Sequence, residues 1–116
     1  TNPENLIDLA ITLPSSFIDR YCSRLNINTE LTKLCNFIAK KIEGNNMITD
    51  NIPHAIAAGI VYFVAYNCSL EVNKTDIKNI CGVSEVTINK CFKKLESMKT
   101  SFIPKAIATK YDCKLL

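Results

Sequence analysis

The chain has 116 residues, enough for one compact domain with a single hydrophobic core. Apolar residues make up 47% of it, a normal share for a globular protein, which argues against a wholly disordered chain, and it has only three Gly and four Pro. The net charge of +3 is uneven, because residues 1–70 carry five basic and six acidic side chains while residues 71–116 carry nine Lys and five acids. The basic second half favours an anionic partner on that side, although a solvated lysine-rich surface would give the same pattern.

Apolar residues at helical spacing predict an all-α fold with five main helices. The first covers about residues 16–25, where Ser16 and Asp19 have the spacing of a capping box. The second covers about residues 29–43, with Thr29 as its N-cap and a stop at Gly44-Asn45-Asn46. Its apolar stripe consists of Leu31, Leu34, Cys35, Ile38 and Ile42.

The third predicted helix covers about residues 53–70, with Pro53 in its first turn. No side chain from Ala55 to Ala65 is charged, which is typical of a helix that others surround. Small residues at 57–59 favour close approach of neighbouring helices. The apolar run at 52–66 is too short to span a bilayer, so we expect no membrane association through it.

The fourth and fifth predicted helices cover about residues 74–81 and 84–98. Asn73 and Asp76 have capping-box spacing before the fourth, Gly82 ends it, and Ser84 is the expected N-cap of the fifth. The flanking segments are weaker: we expect a linker at 1–13, one domain at 14–98, and a tail at 99–116 that forms a short helix or stays mobile.

Residues 73–98 have the pattern of a helix-turn-helix unit, in which two helices meet at a tight turn at Gly82-Val83. In such units the second helix enters the DNA major groove, where base edges are distinguishable. Two helices joined at a glycine also occur in proteins that never bind nucleic acid, so the pattern alone leaves both readings open. The residues spaced to lock the two helices together are Ile77, Cys81, Val83, Ile88 and Cys91.

Five residues of the second helix are candidates for DNA contact. Ser84 would cap the helix and leave its first amides facing a phosphate. Val86 would meet a thymine methyl group or a sugar, and Asn89 would pair with adenine through two hydrogen bonds. Lys90 and Lys93 would neutralise phosphates, which gives affinity and register with little sequence information.

Cysteines stand at positions 22, 35, 68, 81, 91 and 113, and no pair has CxxC spacing. Most fall within apolar helical stripes, which predicts free buried thiols in a reducing compartment. The single histidine, His54, has no ligand-like neighbour in sequence. We find no paired carboxylates, nucleophile–base set or phosphate-binding glycine loop, and therefore expect no enzymatic activity, no metal and no cofactor.

Three segments resemble, in order and spacing, the second cyclin-like repeat of the transcription factor IIB family and its archaeal counterpart. FIDRYCSRL at 17–25 resembles the first helix of that repeat, PHAIAAGIVYFVA at 53–65 its alanine-rich central helix, and IKNICGVSEVTI at 77–88 its helix-turn-helix. The resemblance covers residue 15 to about residue 96. It implies a five-helix cyclin-like repeat that ends in a helix-turn-helix.

The resemblance also implies a function. Members of the family bind the complex of TATA-binding protein with promoter DNA, bridge it to RNA polymerase, and read an element upstream of the TATA box. The family's base-contacting valine corresponds to Val86, whereas its base-contacting arginine corresponds to Asn89. Since the chain does not begin with Met, we expect a monomeric domain of a longer protein, with the polymerase contact mainly in regions outside this chain.

The resemblance places the protein in the nucleus, or in a viral factory or virion if its source is viral. The abundance of Ile, Asn and Lys is typical of an AT-rich genome, such as that of a large DNA virus or protist. Two alternatives stay open: a cyclin-like or pocket-like module that binds proteins, and the RNA polymerase III counterpart of the initiation factor. An exposed, capped second helix in 84–98 favours the DNA-binding reading over a cyclin.

Overall fold

The protein is described by a computed structural model that covers residues 15–45 and 52–111. Every regular element within these two ranges is an α-helix, which confirms the predicted all-α class. The predicted linker at 1–13, the segment at 46–51 and the tail end at 112–116 lie outside the described residues. The helices are α1 Ser15–Arg24, α2 Thr29–Asn45, α3 Pro53–Asn67, α4 Lys74–Cys81, α5 Glu85–Glu96, α6 Lys99–Phe102 and α7 Lys105–Lys110.

Helix α3 is the centre of the domain. Every residue from 55 to 65 except Tyr62 is buried, and helices α1, α2, α4 and α5 all pack against it. This confirms the prediction drawn from its uncharged sequence, because an apolar surface all round a helix is stable only when other helices cover it. None of the described helices is both long and apolar enough to cross a membrane.

The ends of α1 and α2 differ from their predicted positions. Helix α2 begins at Thr29, so Thr29 is not its N-cap; Asn28 is, and its Oδ1 accepts a hydrogen bond from Leu31 N at 2.8 Å. Asparagine is a stronger N-cap than threonine, which explains the preference. Gly44 lies inside α2, which ends at Asn45, within the predicted stop at Gly44-Asn45-Asn46. The predicted apolar stripe of α2 is confirmed, since all five of its residues are buried.

Helix α1 begins at Ser15, one residue before the predicted N-cap Ser16. The capping box predicted from Ser16 and Asp19 is therefore wrong. Asp19 instead accepts a hydrogen bond from Asn36 Nδ2 at 2.9 Å and joins α1 to α2. A tertiary partner has replaced the local one that sequence spacing suggested.

Helices α3 and α5 make the most extensive contact among the described helices, and Gly59 lies directly against Cys91 within it. A Cβ atom placed on Gly59 would overlap the Cβ atom of Cys91 on α5. The prediction that small residues in α3 permit close approach is thereby confirmed at this position. The contact sets how deeply α5 sits against the central helix.

Five cysteines lie within the described residues; all five are buried and none of them forms a disulfide: Cys22, Cys35, Cys68, Cys81 and Cys91. This confirms the prediction of buried thiols for these positions, while Cys113 falls outside the described residues. Cys22 and Cys35 are neighbours in the core, and Cys22 together with burial raises the pKa of the Cys35 thiol. Burial, and secondarily the neighbouring Cys22, raises the pKa of the Cys81 thiol to about 12.

The segment after residue 98 forms the two short helices α6 and α7, which settles the choice between a short helix and a mobile tail for residues 99–111. Its apolar side chains enter the core, with Phe102 fully buried and Ile103 and Ala108 nearly so. Phe102 meets Phe63 of α3 edge-on, with ring centroids 6.3 Å apart. Whether the repeat itself ends at residue 98 stays a prediction.

The end of α7 is tied to the start of α2 by a polar clasp formed by Asn28, Glu30, Lys110 and Tyr111. The Tyr111 hydroxyl donates to Glu30 Oε1 at 2.8 Å, and Asn28 Nδ2 donates to the Tyr111 hydroxyl oxygen at 3.1 Å. Lys110 Nζ lies 2.9 Å from the same Glu30 oxygen. Hydrogen bonds from Lys110 and Tyr111 lower the pKa of Glu30.

Replacing Gly59 with alanine tests the α3–α5 contact. The added methyl group meets the Cβ of Cys91, which cannot swing away, so the helices must move apart. We expect the free energy of unfolding to fall by about 1–3 kcal/mol, measured by urea denaturation. Gly44→Ala is the control, because nothing lies near its added Cβ and alanine favours a helix. Equal stability of Gly59→Ala and the unchanged protein would contradict the close approach.

The buried Cys81 predicts a loss of stability at high pH. Its folded pKa of about 12 exceeds that of an unfolded thiol, about 8.5, so above that pH the unfolded state binds fewer protons. We therefore expect the free energy of unfolding to fall as pH rises from about 8.5 toward about 12. Urea denaturation at several pH values measures it, and Cys81→Ala should show a shallower decline. Identical slopes for the two proteins would exclude Cys81 as a contributor.

Candidate nucleic-acid interface

Helix α4 begins with a complete capping box. Asn73 Oδ1 accepts from Asp76 N at 2.9 Å, and Asp76 Oδ2 accepts from Asn73 N at 3.4 Å. Two of the amides that lack partners at a helix N-terminus are satisfied in this way. The predicted start of the helix-turn-helix is confirmed, and so are the helix bounds Lys74–Cys81.

The turn between α4 and α5 depends on Gly82. This residue has φ 67° and ψ 29°, the left-handed conformation that glycine adopts without a steric penalty, and its N–H donates to Lys78 O at 2.9 Å. Val83 then turns into the core. The residues predicted to lock α4 and α5 together are all buried: Ile77, Cys81, Val83, Ile88 and Cys91.

Ser84 is the N-cap of α5, as predicted. Its Oγ accepts from Thr87 N at 3.2 Å and is 3.0 Å from Thr87 Oγ1, to which it donates. The side chain is exposed, so the cap lies at the surface of the domain. The first turn of α5 is thus stabilised locally and points its remaining amides outward.

Val86, Lys90 and Lys93 form one exposed stripe along α5. The opposite side of the helix is fully buried, with Ile88, Cys91 and Leu95 turned toward the core, so the register of α5 leaves this stripe in solvent. Val86 is 68% exposed, more than any other large apolar residue within 15–45 and 52–111. An apolar side chain held out at the start of a capped helix is suited to contact with an apolar partner surface.

Asn89 lies beside this stripe but is half-buried and already has a partner. Its Oδ1 accepts a hydrogen bond from Lys74 Nζ at 3.2 Å. The Lys74 ammonium also lies 5.6 Å from the centre of the Tyr62 ring, which is a cation–π distance. Three of the predicted contact residues, Val86, Lys90 and Lys93, thus share one face, while Ser84 caps the start of the helix and Asn89 lies against Lys74.

Lys74 was missed by the sequence analysis as a member of this surface. One signal was present: a cation at the first residue of a helix is unfavourable against the helix dipole, so Lys74 needed a compensating partner. The partner lies on the next helix, which no local pattern specifies. A second link joins the same two helix starts, since Thr75 Oγ1 donates to Glu85 Oε2 at 3.4 Å.

An aromatic cluster and a polar link hold the far side of α5 on α3. The ring of Phe92 meets the rings of Tyr62 and Tyr66 edge-on, with centroids 5.0 and 5.1 Å away. Farther along, Asn67 Nδ2 donates to Glu96 Oε2 at 2.8 Å. These contacts fix the rotation of α5 about its axis, and hence the direction in which its exposed stripe points.

The charges on α4 and α5 are mainly positive. Lys78, Lys90 and Lys93 are exposed, whereas Asp76 and Glu85 are the acids of the two first turns. The basic second half expected from the sequence thus includes the surface of the helix-turn-helix. Such a surface attracts a polyanion, and the attraction weakens as salt rises.

An all-helical domain with a capped helix-turn-helix and a basic, outward second helix belongs to a class that includes many DNA-binding proteins. Comparison with known families is specific. Residues 7–98 match the transcription factor TFIIB repeat. Because the match covers more than half of the chain, the protein belongs to the TFIIB repeat family, whose fold is a cyclin-like arrangement of helices.

Individual relatives carry related names. The chain is 33% identical over 79 residues to a putative transcription initiation factor IIB-like protein of Acanthamoeba polyphaga mimivirus, covering 68% of this chain and 17% of that protein. It is 33% identical over 104 residues to transcription initiation factor IIB of Encephalitozoon cuniculi, and the match covers 88% of this chain and 33% of that protein. It is 28% identical over 89 residues to transcription initiation factor IIB of Archaeoglobus fulgidus, and the match covers 77% of this chain and 27% of that protein. The chain therefore spans a third or less of the length of these relatives.

Removing the cap of α5 tests the local geometry of the interface. In Ser84→Ala the Thr87 amide loses its acceptor, and we expect the free energy of unfolding to fall by about 1 kcal/mol. Ser84→Asn restores a side-chain oxygen and should recover most of the loss. Thermal and urea unfolding measure both variants, and an alanine variant as stable as the unchanged protein would argue against the cap.

Proposed function

We propose that this chain is a domain of a general transcription initiation factor that binds promoter DNA next to the TATA box together with TATA-binding protein. The same factor would help to recruit RNA polymerase, mainly through regions outside this chain. The observation that carries the proposal is the exposed stripe of Val86, Lys90 and Lys93 on a capped helix-turn-helix, in a chain that belongs to the TFIIB repeat family.

In the proposed complex the first two turns of α5 lie in the major groove. Val86 packs against a thymine methyl group or a sugar, and the half-buried Asn89 meets a base edge. Lys90 and Lys93 lie four and seven residues after Val86, on the same face, where they neutralise phosphates on the walls of the groove. The amides of the first turn of α5, next to the Ser84 cap, face a further phosphate.

The proposed domain organisation is a linker at 1–13, a cyclin-like repeat at 14–98 and a tail at 99–116. The family match covers residues 7–98, so it ends at the second boundary and begins within the proposed linker. The protein would act in the nucleus, or in a viral factory or virion if it is viral. Its relatives are named as initiation factors, and catalysis forms no part of the proposed role.

Substitutions on α5 test the proposal in gel-shift titrations with TATA-binding protein and a promoter duplex. Val86→Ala should cost on the order of 1–3 kcal/mol of binding free energy and change the preferred sequence beside the TATA box. Lys93→Ala should weaken binding to all sequences alike and lower the salt slope by about 1.

Lys33→Ala is the charge-matched control, because Lys33 is exposed on α2 and lies outside the helix-turn-helix. It should leave affinity and salt slope close to those of the unchanged protein. Promoter binding that is insensitive to Val86→Ala and Lys93→Ala alike would reject DNA reading by α5. If the domain were in that case found to bind a protein partner, the result would favour a cyclin-like interaction module.

A further inference from the structure

The contact between Lys74 and Asn89 decides which atoms α5 can offer to a base. Lys74 is the first residue of α4, and Asn89 lies in the second turn of α5. Their 3.2 Å hydrogen bond is partly buried, and the Tyr62 ring 5.6 Å from Lys74 Nζ supports the ammonium from the α3 side. Both side chains are half-exposed, so they are fixed in position yet open to a partner.

This contact also determines the orientation of the Asn89 amide. A lysine ammonium has three donors and no acceptor, so the amide oxygen, and not the nitrogen, must face Lys74. The Nδ2 group, with its two donors, then occupies the other branch of the amide. Most of the polar groups that the two residues present at this point are therefore N–H donors.

Adenine is a poor match for such a surface. Its major-groove edge needs an acceptor for the N6 amino group and a donor for N7, and asparagine supplies both only when its oxygen is available. Here the Lys74 ammonium occupies one lone pair of that oxygen, and its positive charge opposes the approach of the N6 donor to the other. Guanine presents two acceptors, O6 and N7, on the same edge.

We propose that Lys74 and Asn89 form a composite reading pair that presents mainly hydrogen-bond donors and selects guanine at the base pair that it faces. The pair rests on the proposed function, since it requires α5 in the major groove. Asn89 Nδ2 donates to one guanine acceptor and the Lys74 ammonium to the other. The adenine preference expected for Asn89 from sequence alone is thereby reversed by a neighbour on α4.

The test is selection from duplexes whose bases beside the TATA box are randomised, bound by the protein with TATA-binding protein. The unchanged protein should enrich guanine at one position, and Asn89→Ala should abolish that enrichment at the same position. Lys74→Met keeps the aliphatic stem but frees the Asn89 oxygen, so guanine enrichment over adenine should fall by roughly ten-fold or more. Lys74→Arg retains the donors and should keep the guanine preference.

Lys78→Met is the matched control, because it removes an exposed lysine of the same helix that is outside the pair. It should weaken binding evenly and leave base preference intact. Adenine enrichment by the unchanged protein at the Asn89-dependent position, or unaltered guanine enrichment in Lys74→Met with a normal circular dichroism melt, would overturn the composite pair. If no position is enriched and Val86→Ala is also silent, the proposed function fails instead.

Discussion

The fold depends on how closely α5 can approach α3. Gly59 has no side chain, and Cys91 of α5 occupies the space that a Cβ atom there would need. From that contact outward, Phe92 packs among the aromatic rings of α3, and Asn67 at the end of α3 bonds to Glu96. Depth, tilt and rotation of α5 are therefore set from its buried side. The exposed stripe that begins at Val86 is a consequence of this packing. Because the buried face of α5 is fixed by close contacts, the helix cannot rotate, and the direction of its exposed face is fixed as well.

Much of the helix-turn-helix could be predicted from sequence because its determinants are local. The capping box at Asn73, the left-handed Gly82 and the Ser84 cap each involve residues only a few positions apart. Residue types and spacings in the sequence therefore suffice to predict them. The burial of α3 was equally predictable, since its sequence carries no charge for eleven residues. Local signals failed where two of them competed, as when Asn28 rather than Thr29 capped α2.

What sequence could not supply was the set of contacts between helices. Asp19 bonds to Asn36 rather than to its own helix start, and Lys74 bonds to Asn89 fifteen residues away. Both pairs depend on where α3 places its neighbours, so no pattern along one helix specifies them. The consequence for function is specific. Membership of the TFIIB repeat family defines the class of protein, while the chemistry offered by individual side chains on α5 depends on partners that only the three-dimensional arrangement brings near.

The clasp of Tyr111 on Asn28 and Glu30 has a consequence for the cooperativity of folding. Tyr111 lies 83 positions after Asn28 and 81 positions after Glu30 in the sequence. The clasp therefore closes a loop that contains every described helix from α2 to α7. Helix α7 has six residues, far fewer than a helix needs to persist alone in water. It can form only on a completed α2, and the entropy of closing so long a loop is recovered only when the core between them is in place. The last helix within the described residues therefore depends on α2 and on the core beneath it, whereas neither of these depends on a six-residue helix for its own stability.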